Sequence, residues 1–284
     1  MPASLLLGTH TYAATGAAAR RQAAGTQSLL LLDRTEAVNA QFIRQPHHIE
    51  GLQTLTALQQ DSVSVSGRTG PRRAVIREIL DVLFATAQAR AHDYFGFTNA
   101  DIAWTQAAVD WILSAGREGY AFSRQNVDGA SGSDLDIEIS GVDAVVIATR
   151  VWPRIRHRFR PYLVGQMSWD NVYSAVLMCH ASAAFENRRG LIRHEVHPSA
   201  AMPVDPFARY TQWLAALDAR YFHLWCRYWD ALRQLRAQQG PAEAEERLVR
   251  EIFTWPPTAA ERGIQAARTV KAHLRYAASR VGIR

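Results

Sequence analysis

The chain has 284 residues, of which 48% are apolar, 20% charged and 10% aromatic. That is enough apolar material for a substantial buried core, and it excludes a disordered or collagen-like chain. A formal charge of +6, in which Lys271 is the only lysine among 32 basic residues, is compatible with phosphate-bearing partners but does not choose among them.

The N-terminal run is short and has no basic residue ahead of it, so it reads as a first strand, Ser4–Gly8, rather than as a signal peptide. No apolar stretch approaches the length of a membrane span, and Cys179 and Cys226 lie far apart without a ligand pattern. The expectation is a cytoplasmic protein. Alanine-rich Gly16–Leu32 has helical spacing, Glu36–Ile43 reads as a strand, and Ser62–Ser66 (SVSVS) alternates like another. Pro71–Ala89 predicts a long helix, with Pro71 suited to a first turn and Val75, Ile79, Val82 and Leu83 on one face. Asp93–Thr98 predicts a strand, Trp104–Ser114 a helix, and Tyr120–Gln125 and Ala144–Thr149 two more strands. Strands alternating with helices imply an α/β domain with a largely parallel sheet. Beyond Pro203, the stretches Asp205–Gln239, Ala242–Phe253 and Ala259–Ser279 are helical in pattern. The expected organisation is a catalytic domain over 1–203 and a C-terminal helical region over 204–284, with Trp213, Trp225, Tyr228 and Trp229 as packing residues.

Charge is unevenly distributed. Nine acids face two arginines between Asp93 and Asp143, whereas eight arginines face two acids between Arg150 and Arg193. Such a juxtaposition suits a site that handles both a metal and a phosphate, and equally two differently solvated faces. Four short segments carry the chemistry. The strand 93–98 runs into Asn99-Ala100-Asp101, at the carboxyl end of a strand, where ligands of open α/β sheets bind. Both side chains offer oxygen to a hard cation such as Mg²⁺ or Mn²⁺, and both can instead cap a helix. Gly70-Pro71-Arg72-Arg73 enters the long helix, and its N-terminus with Arg72 and Arg73 suits phosphate. Trp169-Asp170 opens an apolar helix, where Asp170 can act as a general base or as a cap. His194-Glu195-Val196-His197 offers two imidazoles, on a strand-like segment and without the spacing of a metalloprotease.

In this order the motifs resemble the glycosyltransferase-A fold, in particular the bacterial nucleotide-diphospho-sugar transferase-like domains of polysaccharide assembly, over roughly residues 4–200. The resemblance implies a Rossmann-like mixed, largely parallel sheet flanked by helices. It also implies transfer of a sugar from a nucleotide-activated donor to a glycan or lipid-linked acceptor, with inversion. The D-x-D motif that holds a divalent cation (Mn²⁺ or Mg²⁺) on the donor diphosphate falls on Asn99-Ala100-Asp101, with a neutral Asn in the first place. The catalytic base matches Asp170, beside Trp169, and the late histidine of the metal site matches His194 or His197. Nucleotide contacts fall on Gly8, Thr9 and His10, and a phosphate or sugar contact on Arg124. Two rivals remain at this point: a nucleotidyl- or phosphosugar-transferring enzyme on a similar sheet, and a non-catalytic module for anionic polymer, nucleic acid or membrane surface. The second would use Arg150–Arg160 (RVWPRIRHRFR), although no nucleic-acid motif accompanies it and nucleic acid is not the expected partner. The C-terminal helices, with thirteen basic and eight acidic residues, can pack on the domain, dimerise or meet the inner face of a membrane.

Overall fold

The computed structural model describes residues 4–138, 141–186, 188, 190–197, 205–238 and 242–280. In chain order, β1 (Leu5–Thr9), α1 (Gly16–Leu30), β2 (Thr35–Phe42) and β3 (Gln53–Leu58) are followed by α2 (Ser62–Ser66), α3 (Ile76–Ala89) and β4 (Tyr94–Thr98). Next come β5 (Ile102–Trp104), α4 (Gln106–Ala115), β6 (Gly119–Phe122), β7 (Gln125–Val127), β8 (Asp134–Ile137) and β9 (Ala144–Ala148). After α5 (Trp152–Ile155) and a 3₁₀ turn at Arg156–Arg158 stand α6 (Trp169–His180), β10 (Ala183–Glu186) and β11 (Ile192–Glu195). The C-terminal helices are α7 (Ala208–Leu217), α8 (Ala219–Ala237), α9 (Ala242–Ile252) and α10 (Ala259–Arg280).

The main sheet has the order β10-β6-β9-β4-β1-β2-β3, with only β9 antiparallel to its neighbours. Strands β1, β4 and β9 are buried along their whole length, as strands covered by helices on both faces must be, and their apolar runs follow from that. Helix α3 lays Ile76, Ile79, Leu80, Leu83 and Ala87 against the sheet at helical spacing. The order β3-β2-β1-β4 reverses direction between β1 and β4, the place where open α/β sheets leave a crevice. A second, four-stranded sheet, β5-β11-β7-β8, covers the carboxyl end of the first.

Three local expectations are corrected. Ser62–Ser66 is a helix, because Asp61 and Ser64 form a reciprocal capping box and Gly67, at φ 66°, closes the turn. The long helix begins at Ile76 and not at Pro71: Ala74 and Val75 are held extended by bridges to Asp61 and Leu163, and Arg73 N–H donates to Ser62 Oγ. Ile102–Trp104 forms a strand against β11, so the following helix starts at Gln106. The sequence reading also passes over β3, whose alternation is interrupted by polar residues.

Helices α7 and α8 share the core with the sheet. Phe185 of β10 meets Trp225 and Tyr228 edge-on at 5.2 and 5.9 Å, and both α8 rings are buried. Trp213 also packs, stacked on Tyr276. The expected division at 203/204 falls outside the described residues. Asp218, buried between α7 and α8, accepts from Arg160 Nε at 2.8 Å and from the Tyr162 hydroxyl at 3.2 Å. Replacing Asp218 with Ala is expected to lower stability by about 1–3 kcal/mol, since the Tyr162 hydroxyl stays buried without its acceptor. A denaturant midpoint equal to that of the unaltered protein would show that this clasp contributes nothing.

Candidate functional site

The crevice between β1 and β4 is where three distant ligating side chains converge. Asp101 sits in the turn between β4 and β5. Because β5 pairs antiparallel with β11, in the register His194↔Ile102, that turn is brought beside His194, and the chain leaving β11 adds His197. Both Nε2 atoms lie 3.4 Å from Asp101 Oδ2, and one ligand atom from each residue falls within 4.8 Å of the others. Burial pushes the Asp101 carboxyl up. The hydrogen bond and charge of His194, joined by the hydrogen bond of His197, outweigh that and hold it at about 2. The His194 side chain is buried and its Nδ1 has no hydrogen-bond partner among the described residues.

This donor set fits a divalent cation. It offers one carboxylate and two imidazoles that all face one point, from a group that stays ionised over the working pH range. Both histidines join it. Asn99 lines the same cleft, and its amide Nδ2 donates to Asp143 Oδ1 at 3.0 Å.

A cleft of about 240 Å³ opens beside the triad, lined among others by His10, Arg21, Asn99, Asp101, Gly165 and Trp169. Among the described residues, larger hollows elsewhere, such as the one of about 650 Å³ bounded by Phe185 and Glu246, contain no comparable convergence of donors. Trp169 is fixed edge-on against Phe97 at 5.9 Å. His10 bonds the Ala40 carbonyl through Nδ1 at 2.8 Å. A carbonyl only accepts, so Nδ1 carries the proton and, in the neutral ring, Nε2 is an acceptor. Burial lowers the pKa of this ring and outweighs the carbonyl contact, which favours the neutral form.

Arg21 and Gly25 are the two residues that sequence reasoning missed. They lie one turn apart on α1 and face the Asp101 turn. Arg21 is largely buried and 3.7 Å from Glu195, which makes it the cation nearest the triad among the cleft residues. Gly25 lets α1 pass directly under the turn: a Cβ there would collide with the Ala100 carbonyl oxygen, which is backbone and cannot swing aside. Gly25→Ala is therefore expected to cost about 1–3 kcal/mol and to weaken metal binding by displacing Asp101. Unchanged thermal stability with unchanged metal affinity would refute this account.

Asp170, in the first turn of α6, is half-buried beneath Gly141, where an ideal Cβ would be 3.8 Å from Oδ2. Burial chiefly, and the negative charge of Asp143 in addition, push its carboxyl up to about 6 against the opposing pull of backbone N–H groups at Asn171 and Val142. Asp143 is itself gripped by Arg124 at 2.6 Å and by Asn99 of the cleft wall. The helix start at Ser168 is in the left-handed region (φ 77°) with no side-chain cap.

Several expected contacts are redirected. Gly8 is buried within β1, and the space its side chain would take is filled by Leu83, so it serves the packing of α3 rather than a ligand. Thr9 is buried at the carboxyl end of β1, its hydroxyl without a hydrogen-bond partner among the described residues. Arg72 is spent on Asp61 at 2.6 Å and is not at a helix N-terminus. Arg73 meets Asp205 and the Gly165 carbonyl, both at 3.4 Å, and so props the cleft from outside. Arg124 is committed to Asp143 and Asn126. The Arg150–Arg160 segment is not an open nucleic-acid surface: Arg154, Arg156 and Arg160 pair with Glu118, Asp81 and Asp218, while Arg158 lies over the Trp255 ring. Its aromatic residues, Trp152 and Phe159, are fully buried and unable to stack on bases.

No protein-family model and no curated protein matches the chain. Among solved structures it is similar to Staphylococcus aureus TarS 1–349 in complex with UDP-GlcNAc, at 12% identity and a TM-score of 0.47, over 76% of this chain and 66% of that one. It is likewise similar to S. aureus TarS 1–349, at 10% identity and a TM-score of 0.45, over 76% of this chain and 65% of that one. A third structure, of S. aureus TarS, gives 12% identity and a TM-score of 0.45, over 76% of this chain and 39% of that one.

Proposed function

We propose that the chain is a metal-assisted glycosyltransferase, moving a sugar from a nucleotide-diphosphate donor to a hydroxyl of a glycan or lipid-linked acceptor, with inversion, in the assembly of a bacterial polysaccharide or glycoconjugate. The observation that carries this reading is the convergence of Asp101, His194 and His197 in the crevice between β1 and β4. Two imidazoles and one carboxylate suit Mn²⁺ better than Mg²⁺, which prefers oxygen ligands and retains its waters. Bound there, the cation supplies Lewis-acid neutralisation of negative charge on a departing diphosphate.

The chain's own residues provide the rest. Arg21 adds positive charge at the same wall of the cleft, where a diphosphate would lie. His10 offers an acceptor at the mouth of β1, and Trp169 gives a flat apolar wall for a sugar or base. Asp170 takes the proton from the acceptor hydroxyl as its oxygen forms the new bond to the sugar carbon and the bond to the diphosphate breaks. A carboxylate whose pKa has been pushed towards neutrality is a better base than an ordinary one. Unpaired Cys179 and Cys226 accord with a reducing, cytoplasmic setting, and no helix among the described residues is long and apolar enough to cross a membrane.

The test is a thermal-shift screen of nucleoside diphosphates and their sugars, with and without Mn²⁺. One nucleotide should stabilise the protein only when the metal is present, because a ligand bound only to the folded state raises its apparent stability. An unmoved transition with every nucleotide would remove the transferase reading.

A further inference from the structure

A group of cations that shares no residue with the crevice lies between α7 and α10. A hollow of about 490 Å³ there is lined by Arg209, Arg268, Lys271 and Arg275 over a floor made by Trp213 and Tyr276. None of these four cations forms an ion pair among the described residues, in contrast to the arginines of the 154–160 segment. From Arg262 to Arg275, α10 carries four cations and no acid.

The second observation is the apolar face beside them. Ala272 and Tyr276 turn α10 towards α7, with Tyr276 stacked on Trp213 at 4.5 Å. Away from that contact, Ile264, Ala267, Val270 and Leu274 recur every three or four residues and so share one outward stripe. Ile264, Val270 and Leu274 are 55%, 59% and 67% exposed. An outward apolar stripe edged by cations is the pattern of a helix that lies in a membrane interface, with its apolar side in the acyl boundary and its cations at the headgroups.

We propose that α10, with Arg209 of α7, is a docking surface for the anionic phospholipid headgroups of a bilayer. The chemistry selects this occupant. A second copy pairing through the same stripe would set cations against cations. A soluble phosphate polymer would use the charges but leave the apolar stripe in water, and the Trp213 and Tyr276 rings are stacked on each other rather than presented to bases. The proposal is independent of the transfer chemistry, since none of these residues lies in the crevice.

The experiment is co-sedimentation of the full chain with phosphatidylcholine vesicles and with mixed phosphatidylcholine–phosphatidylglycerol vesicles, over a salt series. Binding should require phosphatidylglycerol and fall as salt rises. Each cation near an anionic leaflet is worth roughly fivefold in partitioning, so Arg268→Ala/Lys271→Ala/Arg275→Ala together should lose about 100-fold, and Lys271→Ala alone about fivefold. Val270→Ser/Leu274→Ser should also release the protein, with circular dichroism and melting unchanged because these side chains are exposed. Equal binding to phosphatidylcholine alone, or an unaffected triple variant, overturns the proposal. So does vesicle binding that survives Val270→Ser/Leu274→Ser but is displaced by inorganic polyphosphate, which would assign the hollow to a soluble polymer. A concentration-dependent dimer abolished by Leu274→Ser, in the absence of vesicle binding, would assign the stripe to a second copy.

Discussion

Asp101→Ala should reduce sugar transfer by roughly 100- to 1,000-fold and, in the same protein, abolish the Mn²⁺ dependence of nucleotide binding. Both effects follow from one geometry. Asp101 is the only member of the triad that brings negative charge, and its carboxylate faces both Nε2 atoms at 3.4 Å. Without it, the triad is reduced to two neutral imidazoles, their rings 5.0 Å apart, and would offer a cation no negative charge. The fold should persist, because Asp101 lies in a turn and is partly exposed. Calorimetry with Mn²⁺, followed by a transfer assay, reads both effects. Retained metal affinity in Asp101→Ala would sink the metal assignment even if activity were lost.

Asp170→Asn should cost roughly 100- to 10,000-fold in turnover while leaving donor and metal binding near normal, the pattern of a lost general base. The pH profile gives an independent check. A base works as the carboxylate, and burial with the neighbouring Asp143 places this group at about 6. Activity should therefore be full above that pH and decline as pH falls through it. Asp101, held at about 2, remains ionised throughout and does not supply this limb. In Asp170→Asn the residual rate should lose that acid limb. A variant with normal turnover, or one that keeps an acid limb near 6, would take Asp170 out of the base role.

The main sheet was readable from the sequence because its strands are short apolar runs between helical patterns, and burial on both faces leaves that signature without tertiary detail. Where the reading failed, local side-chain chemistry or pairing prevailed over periodicity. SVSVS looks like a strand until Asp61 caps it, and Trp104 looks like a helix start until β11 claims the backbone of Ile102–Trp104. The same distinction divides the site. Asp101, Asp170, His194 and His197 could be named because their types and order carry chemistry. Arg72 and Arg124 each stand beside a carboxylate, and a sequence does not show which arginine has a partner of its own. Gly25 and Arg21 could not be found from motif order at all: their meaning lies in how closely α1 approaches a turn some 75 residues further along the chain.

The three-residue pairing of β5 with β11 has a consequence for how the site opens and closes. Asp101 precedes one edge of that ladder, His194 belongs to the other, and on its far side β11 pairs parallel with β7, Glu195 opposite Val127. A breathing motion that unzips so short a ladder separates carboxylate from imidazole in one event. A cation held by both would oppose that motion. Amide protons of Ile192–Glu195 should then exchange with solvent markedly more slowly in Mn²⁺ than in chelator, while those of β1 and β4, locked in the main sheet, exchange at the same rate in either.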